Sequence, residues 1–191
     1  MKLVVATENL GKLNEIKGLM HGTQNCLIPQ SELHIASVPE TGLTFIENAL
    51  IKARHACRCS KLPALADDSG LVVPSLHGAP GIYSARYAEH PIQKLLSELQ
   101  DKPEHERQAY FYCAAVYLRH EQDPTPIIAE GIWPGIILRE PRGNHGFGYD
   151  PIFYVPDQHC SAAELSIQKK NQLSHRGQAL QKLIKSLKHE R

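Results

Sequence analysis

Asp67 and Asp68 stand side by side in ALADDSGLVV (64–73), two carboxylates inside an otherwise apolar run. Burying either charge without a partner is costly, so each needs a counter-charge or a ligand. Glu40 and Glu47 complete the acidic set of this part of the chain. Magnesium takes one or two such carboxylates together with water and phosphate oxygens, and a bound divalent ion activates water or polarises phosphorus. Plainer roles compete. Glu47 follows Thr44 at the spacing of a capping box, Asp-Ser-Gly suits a turn, and Glu40 lies in the loop Pro39–Gly42. Residue type alone does not choose among these. The pleat adds one constraint: neighbours on a strand point to opposite faces, so one site cannot easily use both aspartates.

Three further stretches could carry chemistry. VVATENLGK (4–12) reads as a strand, a polar turn and a helix start, which aims free N–H groups and the positive end of a helix dipole at one point. Thr7, Asn9 and Lys12 would add hydrogen-bonding groups and a cation for a phosphate; the alternative is a capped helix with an exposed lysine. GFGYDP (146–151) combines glycines that let backbone approach a planar ligand with Phe147 and Tyr149, which offer faces for base stacking or fill a core. Ser174-His175-Arg176 opens a helix and suits an anion or keto oxygen, or is simply a cap with two exposed side chains.

The elements that must position these groups follow from periodicity. Residues 3–6 predict a strand and 12–20 a helix, with a second short strand within 26–38. A helix runs from Thr44 to about Cys59. LPALA (62–66) and LVVPSL (71–76) read as strand-like runs flanking the aspartates, and 77–87 as a loop. A short helix is expected at about 91–100. Residues 109–120 and 126–138 read as a long antiparallel hairpin, 140–153 as a loop entering a strand, and 174–188 as an amphipathic helix. The mixture argues one α/β domain over 1–191 with a mixed sheet.

Bulk properties exclude several classes. With 21 basic and 20 acidic residues the formal net charge is +1, so the basic excess of a nucleic-acid binder is missing and small-molecule ligands are favoured. The five cysteines are scattered without a CxxC pair, which argues against a disulfide framework or zinc site; His55, Cys57 and Cys59 read as a helix carrying two thiols. No run reaches a membrane-spanning length, and the N-terminus does not read as a signal peptide. A reduced, cytoplasmic protein is expected. Walker P-loop, Gly-x-Ser-x-Gly and His-Glu-x-x-His patterns are absent.

Taken in order, Thr7/Asn9/Lys12, ETGLTFIENALIKA (40–53), LADDSGL (65–71), GAPGIYSARY (78–87), FGYDPIF (147–153) and SHRGQAL (174–180) resemble the non-canonical purine nucleoside triphosphate pyrophosphatases, nearest their bacterial inosine/xanthosine triphosphate members. The resemblance implies a homodimer whose subunits have two lobes around a long mixed sheet flanked by helices, with the active site in the cleft. It implies Mg²⁺-dependent hydrolysis between the α and β phosphorus atoms of ITP, dITP or XTP. By position, Asp68 is implied as the catalytic residue and a metal ligand, with Glu40 the other metal ligand. Thr7, Glu8, Asn9, Leu10, Gly11 and Lys12 would hold the triphosphate and Ser69 would contact substrate. Phe147, Gly148, Tyr149, Asp150, Lys170, His175 and Arg176 would form the nucleotide and base pocket. Asp67 is left as a support for the turn or neighbouring loop. Two departures stand out: only AEHPIQ (88–93) separates SARY from the next helix, where relatives carry a longer acidic loop, and Glu8 replaces a frequent glycine. Glu8 is expected to point to solvent. A nucleotide-binding module without turnover is the competing reading.

Overall fold

The apolar run at the N-terminus folds as strand β1 (Lys2–Val5), in which Leu3, Val4 and Val5 are fully buried, as expected of a strand covered on both faces. This is a computed structural model, and it describes residues 1–189. Helix α1 (Leu10–Leu19) leads to strand β2 (Cys26–Pro29), which pairs parallel to β1 from Lys2↔Cys26 to Val5↔Pro29. Strand β2 is the sheet edge, where Pro29 is tolerated. Helix α2 (Phe45–Ser60) starts on the expected capping box of Thr44 and Glu47 and buries a stripe of small residues, Ala49, Ala53, Ala56 and Cys57.

Strand β3 (Ala64–Val72) pairs parallel to β1 at Val4↔Ala64 and Val5↔Leu65. The two runs read as flanking the aspartates are one continuous strand with the aspartates inside it, which leaves no place for the alternative of a turn at Asp-Ser-Gly. Helix α3 (Pro91–Glu98) follows a 3₁₀ stretch, Gly81–Arg86, within the expected loop. Strands β4 (Gln108–Leu118) and β5 (Ile127–Ile137) are neighbours in the sheet. Strands β6 (Phe153–Val155) and β7 (Cys160–Ser161) add antiparallel pairs, and helices α4 (Ile167–Leu173) and α5 (His175–His189) end the chain. Helix α4 has no counterpart in the sequence reading. The sheet order is β2-β1-β3-β4-β5-β6-β7, a mixed seven-stranded sheet of an α/β fold.

Contacts group the chain into two units. One comprises 1–68, 113–131 and the segment from Arg176, with a core that includes Leu3, Ile16, Leu65, Leu180 and Leu183. The other comprises 69–112 and 132–175, with Leu71, Leu95, Phe111, Trp133 and Phe153 in its core. Among the described residues no helix is long and apolar enough to cross a membrane.

Candidate active site

The pleat of β3 gives the two aspartates different surroundings. Asp67 is 1% exposed; its Oδ2 accepts a hydrogen bond from Arg176 Nε at 3.1 Å and lies 3.3 Å from Lys12 Nζ. Arg176, itself 1% exposed, also pairs through Nη1 with Glu15 on α1. Burial alone would raise the Asp67 carboxyl, but Lys12, Arg176 and Lys52 outweigh it and hold the group well below the usual carboxylate range. Cys113 Sγ sits 3.9 Å from the same oxygen, and burial, with Asp67 beside it, pushes that thiol up to about 12, so it stays neutral. Asp67 therefore does not support a turn; it is the anionic centre of a buried network that ties β3 to α1 and to the start of α5.

Asp68 meets a different cation. Lys52 on α2 places Nζ 2.7 Å from Glu40 Oε1 and 3.5 Å from Asp68 Oδ1, bridging the two carboxylates expected to bind metal. Burial raises the Asp68 carboxyl above its ordinary value, with Glu40 and Asp67 adding to the rise and Lys52 and Lys12 opposing it. For Lys52, burial favours the neutral amine, yet Asp68, Asp67 and Glu40 together hold it above its ordinary value. Two carboxylates held on one buried ammonium form a charge-coupled group of the kind that clusters at functional sites. The fourth acid is committed elsewhere: Glu47 caps α2, its Oε2 accepting the Thr44 N–H at 2.8 Å.

Upstream, Asn9 caps α1, its side-chain oxygen accepting the Lys12 N–H at 3.0 Å, while Thr7 Oγ1 accepts the Asn9 N–H at 3.2 Å. Glu8 is exposed, as expected, and Leu10 and Gly11 form the first turn of α1. Lys12 is not the exposed lysine of the plain alternative: its side chain is only 14% exposed and leans on Asp67. Ser69 follows Asp68 on β3 and is half-buried.

In the other unit, Asp150 organises the glycine-rich loop. Its Oδ2 accepts the Phe147 N–H at 2.8 Å and lies 2.6 Å from Lys170 Nζ, which in turn lies 4.8 Å over the Phe147 ring. Gly146 has φ +75°, and a Cβ there would fall 2.1 Å from Asp150 Oδ2, so only glycine lets the loop wrap its own carboxylate. Phe147 is half-buried and Gly148 exposed, whereas Tyr149 is 4% exposed and donates its hydroxyl to Ser84 O at 3.0 Å. Of the two aromatics offered for stacking, Tyr149 belongs to the core. His175 stacks on Phe111 with centroids 4.7 Å apart and planes at 11°.

The structure thus brings Glu40, Asp68, Asp67, Lys12 and Arg176 into one charged group, and Phe147, Asp150 and Lys170 into another. Sequence reasoning missed Lys52, Glu15 and Phe111. For Lys52 a signal existed: it lies three residues after Ala49 and beside Ala53, on the margin of the buried stripe of α2, where a lysine needs a counter-charge. Neither Glu15 nor Phe111 carries a comparable mark. The thiol helix is plain: His55 Nε2 is 2.9 Å from Ala36 O, and Cys57 is buried.

Comparison with known proteins identifies the family and the fold. The sequence profile of the Ham1 family matches residues 3–186. A dITP/XTP pyrophosphatase of Escherichia coli K12 is 52% identical over 98% of both chains, and one of Vibrio cholerae is 53% identical over all of this chain and 98% of its own. Among solved structures, a HAM1 protein from Coxiella burnetii superposes with a TM-score of 0.91 at 48% identity, covering 99% of each chain. The Staphylococcus aureus Ham1 protein gives 0.88 at 38% over the full length of both. Sequence and fold agree along the whole match: this chain belongs to the Ham1 family.

Proposed function

We propose that this chain hydrolyses the α–β phosphoanhydride of non-canonical purine nucleoside triphosphates, ITP, dITP and XTP, to the monophosphate and pyrophosphate, and so removes deaminated purines from the nucleotide pool. The observation that carries the reading is the Glu40–Lys52–Asp68 group, two carboxylates gathered on one cation. That donor set fits Mg²⁺, which is usually held by one or two carboxylates with water and substrate oxygens. Glu40 and Asp68 would hold the ion, which when bound supplies charge neutralisation on the phosphates.

The chain's own residues supply the rest. The segment from Thr7 to Lys12, with the Lys12 ammonium and the N-terminal end of α1, receives the triphosphate, and Ser69 adds a contact. Water attacks phosphorus, Asp68 accepts its proton, and pyrophosphate leaves with the bridging oxygen. Asp67 keeps Lys12 in place, and Arg176, which the resemblance put in the base pocket, is buried against Asp67 and Glu15 and acts through Asp67 as a positioning residue. Phe147 and Gly148, held by Asp150 and Lys170 and backed by the core residue Tyr149, receive the base with His175. Donors facing O6 would reward hypoxanthine and xanthine and leave adenine opposing donor to donor, whereas guanine shares that O6 and is rejected at its 2-position.

Pyrophosphate release from ITP, dITP, XTP, GTP and ATP with Mg²⁺ tests the reading. Release from the first three and little from the last two is expected. Binding without release from any of them would favour a nucleotide-binding module. A homodimer and a cytoplasmic setting belong to the same proposal, supported by the family resemblance, and light scattering of the purified chain tests the former.

A further inference from the structure

Helix α2 begins with more side-chain hydrogen bonding than its cap requires. In a capping box the carboxylate takes the N-cap N–H. Here Glu47 Oε2 accepts the Thr44 N–H at 2.8 Å, the Leu43 N–H at 2.8 Å and the Thr44 hydroxyl at 3.0 Å. One residue further, Asn48 Oδ1 accepts the Gly42 N–H at 2.9 Å. Three consecutive backbone N–H groups are held by two adjacent side chains. Residues 35–42 carry no helix or strand, and Glu40 lies two residues before this clamp.

Two observations show how tightly the clamp holds this backbone. Asn48 is fully buried, and its Nδ2 finds no hydrogen-bond partner. The Gly42 N–H needs an acceptor, so the carboxamide cannot flip to relieve that donor, and an orphaned buried donor lowers stability. Gly42 is also pressed against the helix: a Cβ there would lie 2.5 Å from Glu47 Cβ and 2.8 Å from Asn48 Oδ1. A carboxylate on an irregular segment is placed only as well as the backbone beneath it.

We infer that Glu47 and Asn48 are positioning residues that hold the 42–44 backbone so that Glu40 presents its carboxylate, with Asp68, to the divalent cation of the reaction proposed above, on which this inference rests. Groups that orient metal ligands from behind typically contribute 10- to 100-fold in affinity. Lys52 completes the arrangement from the same helix by holding the Glu40 side chain itself.

The test uses the full chain with Glu47→Ala, Asn48→Ala and Gly42→Ala, and Glu47→Gln as the conservative variant that keeps an acceptor. Backbone amide exchange at 42–44 and Mn²⁺ binding without nucleotide, by water-proton relaxation, are measured alongside the Mg²⁺ dependence of pyrophosphate release. The first three variants should bind Mn²⁺ about 10- to 100-fold more weakly and exchange faster at 42–44, with Glu47→Gln close to wild type. The Mg²⁺ concentration for half-maximal rate should rise by the same factor, while the nucleotide KM at saturating Mg²⁺ stays unchanged. If loss of the cap prevents Glu47→Ala from folding, Asn48→Ala carries the test, because it lies outside the capping box and removes the orphaned donor together with its bond. Faster exchange with unchanged Mn²⁺ affinity would overturn the inference, as would a wild-type chain that binds no Mn²⁺. A wild-type chain that binds Mn²⁺ in this pattern but releases no pyrophosphate would defeat the proposed reaction and leave the clamp standing.

Discussion

Replacing Asp67 by asparagine should reduce stability far more than the same change one residue later. The side chain of Asp67 is 0% exposed and that of Arg176 2%, so their contact at 3.1 Å is a fully buried ion pair. Removing one partner of such a pair costs about 3–5 kcal/mol, because the other charge is left buried. Glu15 still pairs with Arg176, and Lys12 is partly solvated, which favours the lower end of that range, about 3 kcal/mol. Asparagine preserves the volume, so no cavity contributes. For a chain of this size such a loss lowers Tm by roughly 6–12 °C. Urea unfolding at pH 7, with calorimetry for Tm, measures it.

The same pair has a pH signature with a definite sign. The Asp67 carboxyl is held below its ordinary 3.8 in the folded chain, so its contribution is complete above that value and is lost as pH falls towards the folded-state value. The gap between wild type and Asp67→Asn should therefore be constant near neutrality and close progressively below about pH 4. A difference under about 1 kcal/mol at pH 7, or a gap that widens on acidification, would refute the ion-pair reasoning.

The companion variant, Asp68→Asn, should leave the unfolding midpoint near wild type or slightly above it, since burial disfavours the Asp68 charge, and should lower kcat strongly with KM little changed; steady-state kinetics on ITP checks this. Lys52→Met removes the cation between Glu40 and Asp68 and should lower kcat by about 100-fold or more, and a kcat within threefold of wild type would exclude Lys52 from the mechanism. Gly146→Ala meets both a positive φ and the Asp150 carboxylate; it should destabilise by about 1–3 kcal/mol and raise the KM for ITP, as read by thermal unfolding and kinetics.

Local chemistry was legible where a pattern is self-contained. The Thr44–Glu47 box set the start of α2, and the strand-turn-helix reading of residues 3–20 held because its apolar residues fall at the right periods. The choice between a turn at Asp-Ser-Gly and a continuous strand rests on non-local partners. Two carboxylates within an apolar run suggest a turn only when nothing neutralises them, and their partners come from Lys12, Lys52 and Arg176, up to 109 residues away. Tyr149 likewise reads as a stacking face until its hydroxyl is seen bonded to Ser84.

By itself, then, the sequence determined that Asp67 and Asp68 must have separate roles, since the pleat turns neighbours to opposite faces. It also determined the collinear motifs that mark the family. Only the tertiary structure decided what surrounds each of them. It set Asp67 against Arg176 and Lys12, where burial and opposite charge make it a fixed anion, and Asp68 beside Lys52 and Glu40, where burial raises a carboxyl that can take a proton. Charge pairing depends on distance in space, and sequence spacing carries no record of it.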